Sequence, residues 1–233
     1  MRAKSLIFIF ILPIVFGFTS DKVLKSVDDT PVALVKKIIK DVTYKKAGVS
    51  DWELAKTGLP LKNDEEVRTG SKSLALILFS DGSGLLRVRE NAILHIYGAK
   101  DGKKLNKNTD IEKGLIGFDV KRQGDEEFKF TTPTVVASIR GTSGFVDVDD
   151  NKNTTFFLES GTVEIESRKD EKKSGTVTGG NTAKIDSEGN IIINPNSDED
   201  IKKNDQTRSL TTKKVFIKTN RGTVVLEYYS SGN

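Results

Sequence analysis

The sequence has no cysteine. Disulfides, thiolate metal sites, a Cys nucleophile and a lipidated N-terminal Cys are therefore excluded. It has one histidine, His95, which rules out a multi-His metal centre and weakens any His-based catalytic scheme. There is no Walker-type phosphate loop and no Gly-x-Ser-x-Gly elbow, so two common signatures of enzymes are missing. Charge of one sign is also scarce: 37 Lys and Arg face 33 Asp and Glu, a formal net charge of +4. Arg2 and Lys4 account for two of these, and +4 − 2 leaves +2. That balance is too mild to argue for nucleic acid or an anionic membrane, and no basic run carries aromatic platforms. The one sizeable apolar run, Leu6 to Phe16, is too short to span a bilayer comfortably. Preceded by Arg2 and Lys4, it makes residues 1–20 a secretory signal peptide, cut after Gly17, Thr19 or Ser20. The remainder is expected outside the cytoplasm, periplasmic or at the cell surface, with no transmembrane span once the leader is gone.

What is present is strand-forming sequence punctuated by turns. Pro60, Lys62-Asn63-Asp64, Gly70 and Asp81-Gly82-Ser83-Gly84 are turn signals flanking the apolar runs Leu74 to Phe79 and Leu85 to Val88. Ala92 to Tyr97 reads as a strand holding His95. Ala99 to Lys107 reads as a polar, Lys-rich turn region, and Lys121 to Glu127 as a charged loop. Thr176 to Ile185 and Ile191 to Ile193 close the series around the loop Asp186 to Asn190. Turns at such short intervals predict an all-β chain of many short strands. Residues 196–212 are polar with no apolar period and read as a linker or disordered segment. Residues 213–233 read as a terminal β-hairpin around Asn220-Arg221-Gly222. A lone hairpin is marginal in water, so it should dock on the main domain or on a partner.

The most informative stretch runs from Thr132-Pro133 through Val135 to Ile139, then Arg140-Gly141-Thr142-Ser143-Gly144-Phe145. It continues past an Asp-Asp-Asn-Lys-Asn cluster into Leu158-Glu159-Ser160-Gly161-Thr162-Val163. This run resembles the FecR domain family: Thr-Pro, an apolar stretch, Arg-Gly-Thr, Phe, and a later Leu-Glu-Gly-x-Val. Upstream, Trp52, Leu61, Glu66-Val67-Arg68-Thr69-Gly70, Ala75, Phe79, Asp81-Gly82-Ser83, Asn91 and Leu94 continue the resemblance. It covers residues 31–195. Two departures, the extra residue at Ser143-Gly144 and Ser160 before Gly161, point to altered turn or bulge geometry. The resemblance implies a β-solenoid-like or rolled β-sandwich fold. It resolves Pro31 to Lys46, ambiguous by propensity alone, as two strands turning at Lys40-Asp41, and it makes Ile111 to Val120, with Gly114 and Gly117, another strand. In the best-known members the domain lies outside the inner membrane and passes a signal from an outer-membrane receptor to a cytoplasmic sigma factor. That arrangement uses an anti-sigma segment and a membrane span, and this chain is expected to resemble the receiving half only.

No catalytic residue, cofactor or metal is expected. Arg140, after an apolar run, could pair with Asp81 or Glu159 as a buried charge pair between layers, or could receive a partner's carboxylate. Thr142 is expected to hydrogen-bond in its turn. Trp52 reads as a lid over the core. Asp147-x-Asp149-x-Asn151 begins like an EF-hand loop, but Lys152 stands where Gly is needed and Leu158 where the bidentate Glu belongs, so it reads as a polar turn. The expected function is that of a non-catalytic protein-binding or scaffold module that binds another envelope protein in envelope signalling. The alternative is a glycan-binding or glycan-processing surface protein, for which Trp52, Tyr97, Tyr228 and Tyr229 are the available aromatics.

Overall fold

A computed structural model describes residues 30–101, 104–122, 124, 126–209, 211–220 and 222–230. Residues 1–20, read above as a signal peptide, lie outside them. The chain opens with β1 (Ala33–Ile39), β2 (Val42–Lys45), β3 (Glu53–Leu54), β4 (Pro60–Leu61), β5 (Glu65–Thr69), β6 (Leu74–Phe79), β7 (Gly84–Val88) and β8 (Ile93–Asp101). Three much longer strands form its middle: β9 (Lys104–Val120), β11 (Val135–Val148) and β12 (Thr154–Ser167), with the short β10 (Phe128–Thr131) between the first two. β13 (Ser174–Thr178), β14 (Asn181–Ile185) and β15 (Ile191–Pro195) close the sheet. Then come a helix, α1 (Asp198–Arg208), and a separate hairpin of β16 (Thr211–Thr219) and β17 (Gly222–Ser230).

All strands from β1 to β15 belong to one hydrogen-bonded sheet, and the long strands fold it over. The first half of β9 pairs with β8 and, in parallel, with β10; its second half pairs with β7 and β11. β11 and β12 divide likewise: their outer halves run beside β10 and β13, their inner halves beside β9 and β14. One arm is therefore β4-β1-β6-β7-β9-β11-β12-β14-β15, and the other is β3-β2-β5-β8-β9-β10-β11-β12-β13. A single core cluster draws Val35, Ile77 and Leu86 from the first arm and Val67, Leu94 and Ala137 from the second. Rings join the arms edge to face, Phe79 with Phe128 at 4.9 Å and Phe118 with Phe130 at 5.0 Å. The expected all-β fold is thus a rolled sandwich, in which strands change layer at bends.

Glycine makes the bends. Gly114 has φ 101° and a Cβ there would sit 2.5 Å from that of Ala92. Gly141 and Gly161 have φ 62° and 86°, and a Cβ on Gly161 would collide with the Gly141 carbonyl. The β11–β12 register shifts between Arg140 and Ser143 and again before Gly144, with Ser143 opposite Ser160. The two departures noted in the motif therefore lie at β-bulges, and the paired Ser143 and Ser160 between them are bonded hydroxyl to hydroxyl at 2.8 Å. The expected series of short strands with a turn at Arg140-Gly141 is replaced here by two continuous 14-residue strands that bend.

Residues 196–212 are a second correction. In place of a loose linker there is an 11-residue helix. Ser197 and Asp200 form a reciprocal capping box, Asp198, Glu199 and Asp200 fill the first turn, and Arg208 lies in the last. The buried side is Asp200, Asn204 and Thr207, which has helical spacing but no apolar residue, so an apolar-period reading passes over it.

Candidate functional site

α1 lies on the outer face of β9 and β11. Thr207 fits over Gly117, where a Cβ would come within 2.6 Å of its hydroxyl. Lys203 reaches Asp147 at 2.5 Å and its ammonium stands 5.6 Å from the ring centre of Phe145. That ring is buried by the helix side and stacks flat on Phe157 at 5.1 Å. Arg208 binds Glu159, Nη1 to Oε1 at 3.0 Å, and also Asp119; Asp119 in turn accepts two 2.6 Å bonds from the buried Arg87. Six charged groups, Lys203 with Asp147 and Arg208 with Glu159, Asp119 and Arg87, thus tie helix to sheet.

These contacts settle the expected Arg140 pair. Glu159 is taken by Arg208. Asp81 is taken by Lys107, whose side chain is wholly buried and whose Nζ also meets Glu126 at 3.1 Å. Arg140 is exposed and makes no ion pair with a described residue. With Arg122 it lines a groove of about 650 Å³ beside Phe128 and Lys129. The buried charge cluster joining the layers exists, but its cation is Lys107, from the stretch read as a polar turn. Burial would raise the Asp81 carboxyl, but hydrogen bonds from Lys107 and Ser83 outweigh this and hold it below the usual carboxylate range.

The other motif residues shape turns and bulges. Thr69 donates to the Arg89 carbonyl at 2.5 Å and accepts from the Ala92 amide at 3.0 Å. Gly70 donates to the Asp41 carbonyl at 2.8 Å, and Gly82, at φ 70°, to that of Phe79 at 2.9 Å. Thr132, before Pro133, forms a buried hydroxyl cluster with Thr134 and Thr154, and its carbonyl accepts from Arg168 at 2.7 Å. Thr142 departs from expectation: its hydroxyl is buried and has no hydrogen-bond partner. Asp149 accepts from the amide and side chain of Asn153, both at 2.8 Å, and Asp147 is bound to Lys203, so the Asp147–Asn151 stretch is a closed polar turn.

On the outer face of the second arm, charges run in register across four strands. Lys45 on β2 stands opposite Glu66 on β5, Glu66 opposite His95 on β8, and His95 opposite Asp110 on β9. Lys45 is bonded to Glu66, and the His95 Nε2 is 3.6 Å from the same carboxylate. Tyr97 stacks on His95 with 6.2 Å between ring centres. Burial raises the Asp110 carboxyl above its usual range, opposed by His95 and Arg168 and reinforced by Glu112. Trp52 is half-buried at this face and does not lid the core. Arg68 lies 4.2 Å and Lys45 4.9 Å from its ring centre. Its ring is thereby engaged by cations, which counts against a sugar platform.

Among the described residues the C-terminal hairpin gathers several exposed large apolar side chains. Val215, Ile217 and Val224 share one face and Phe216 and Val225 the other, all between 43% and 65% exposed. Among the described residues its extensive contacts are those between its own two strands.

Residues 65–164, from β5 to near the end of β12, match the family model described as FecR protein. Over that stretch the chain is similar to the FecR family. The resemblance read from the Arg140 motif therefore holds on the stretch that contains it. Two crystal structures of a "putative anti-sigma factor" from Parabacteroides distasonis, at 1.65 and 2.50 Å resolution, are similar in fold. Each is 13% identical with a TM-score of 0.50, and the match covers 59% of this chain and 62% of the other. No curated protein matches by sequence. The FecR match ends before α1 and the hairpin, so both features lie outside the matched region.

Proposed function

We propose that this is an exported, non-catalytic FecR-domain protein that binds another protein of the cell envelope and takes part in envelope signalling. The observation that carries the proposal is the uncovered β16–β17 hairpin. Nine-residue strands with apolar residues on both faces gain little from each other alone, and water-exposed patches of this kind mark interaction surfaces. The fold likeness to a protein described as an anti-sigma factor supports the signalling assignment. The exposed Arg140 and Arg122, lining their groove, supply a second contact suited to a partner's carboxylates. Export is read from the leader, and fractionation of the native host tests it: the mature form belongs in the periplasmic or surface fraction. For the binding surface, Phe216→Asp with Val225→Asp should abolish co-purification of the envelope partner while the folded domain persists. Undiminished recovery of the same partner would refute the hairpin as the binding element.

A further inference from the structure

The charged row on β5, β8 and β9 does more than neutralise itself. Ligand atoms of Glu66, His95 and Glu112 all lie within 4.8 Å of one another. They converge because Glu66 and His95 are directly opposed across β5–β8, and because the β8–β9 register slips next to Leu94. That slip leaves Glu112 unpaired in the ladder between Ile111 and Lys113, and its side chain comes to the imidazole instead.

We propose that Glu66, His95 and Glu112 form a divalent metal site of the Zn²⁺ class, closing three strands with one ion. The chemistry of the donors fits. One imidazole nitrogen with carboxylate oxygens suits Zn²⁺, whereas Mg²⁺ and Ca²⁺ take oxygen alone. Bonds of about 2.1 Å to a common ion put neighbouring donors roughly 3–3.5 Å apart. The present spacing therefore closes with a small movement, and Glu112, exposed and without an ion pair to a described residue, is free to make it. Glu66 holds its position because its side chain is only 7% exposed, and Tyr97 stacks on the imidazole and limits its rotation. The charges agree too. Glu66, Glu112 and the half-buried Asp110 opposite His95 are three carboxylates, answered by Lys45 on Glu66 and by the nearby Arg168. Lys45 is the ion's competitor at Glu66. This inference is independent of the partner-binding proposal.

The test uses the full mature chain with no polyhistidine tag. Because His95 is the only histidine, ¹⁵N-imidazole resonances report the site without assignment. Titration with Zn²⁺ should give one saturable calorimetric event together with a shift of the single imidazole signal, and Mg²⁺ at equal concentration should give neither. Glu112→Gln and His95→Gln, both on the outer face, should each weaken Zn²⁺ binding at least about ten-fold. Lys45→Met should leave it as tight or tighter. An imidazole signal that does not move on Zn²⁺ addition to the unmodified chain overturns the proposal. So does calorimetric binding that His95→Gln leaves unchanged, which would be adventitious carboxylate binding.

Discussion

Asp81→Asn should destabilise this protein more than Lys107→Met, although both break the same ion cluster. Lys107 is sealed in, with a side-chain exposure of 0%, while Asp81 and Glu126 keep 25% and 26%. Removing the Asp81 charge leaves a buried ammonium with Glu126 as its remaining carboxylate. A buried charge deprived of its partner costs about 3–5 kcal/mol, and the surviving Glu126 contact reduces this to about 2–3 kcal/mol. Removing the cation instead leaves two carboxylates that can turn to water, and Met keeps the apolar stem against Phe128, 6.0 Å from the ammonium. That change should cost about 0–1.5 kcal/mol. The double variant should recover most of the Asp81→Asn loss. Urea unfolding followed by circular dichroism measures all three. The pH dependence provides a second reading. Because the folded Asp81 carboxyl titrates below the usual carboxylate range, its contribution is full above the unfolded value near pH 4. It is lost as pH falls through the folded value. Asp81→Asn should flatten that acid limb. The reasoning fails if Asp81→Asn costs under about 0.5 kcal/mol, or if Lys107→Met proves the worse of the two.

Other expectations follow from the bends, the helix and the outer face. Gly161→Ala, at φ 86° against the Gly141 carbonyl, should lower the unfolding midpoint severely. Gly180→Ala has the same φ with nothing within 4 Å, so it should cost only about 1–2 kcal/mol of backbone strain. Ser197→Ala should cost about 1 kcal/mol and speed amide exchange in residues 198–208 before the sheet is affected. Asp110→Asn should raise stability at neutral pH, the opposite sign to Asp81→Asn. A folded carboxyl raised by burial opposes folding once ionised, and that penalty is relieved as pH falls. Truncation after Ser209 should leave the thermal midpoint of the remaining chain unchanged and reduce binding of a hydrophobic dye, since the hairpin makes no extensive contact with another described element.

The parts of this fold that could be read from sequence are those in which local chemistry decides. β-Branched runs and turn residues gave strands, and Lys40, at φ 58°, does turn the chain between β1 and β2. The extra residues at Ser143-Gly144 and Ser160 were legible as bulges because an odd residue in a period-two strand must go somewhere. What could not be read depends on register between distant strands. Lys107 sits in a stretch of lysines and asparagines, and nothing local shows that β9 runs on through it and points it inward beside Phe128. Glu112 meets His95 only because of a slip in pairing 17 residues further along the chain from that histidine. Arg140 follows an apolar run, but strand alternation puts it with Val136 and Ser138 on the outer face, opposite the buried Ala137 and Ile139. The helix was missed for another reason. Its Ser197-x-x-Asp200 box was visible, but its buried face is polar and apolar spacing was the wrong signal to seek.

The account rests on the hairpin as the surface that meets another envelope protein. A photo-crosslinking amino acid placed at Phe216 in the full chain, in its native host, tests that contact directly, with a control at Glu188 in the exposed β14–β15 loop. The account predicts a discrete adduct with one envelope protein from position 216 and none from 188. Equal labelling from both positions, or no adduct from 216, would contradict it.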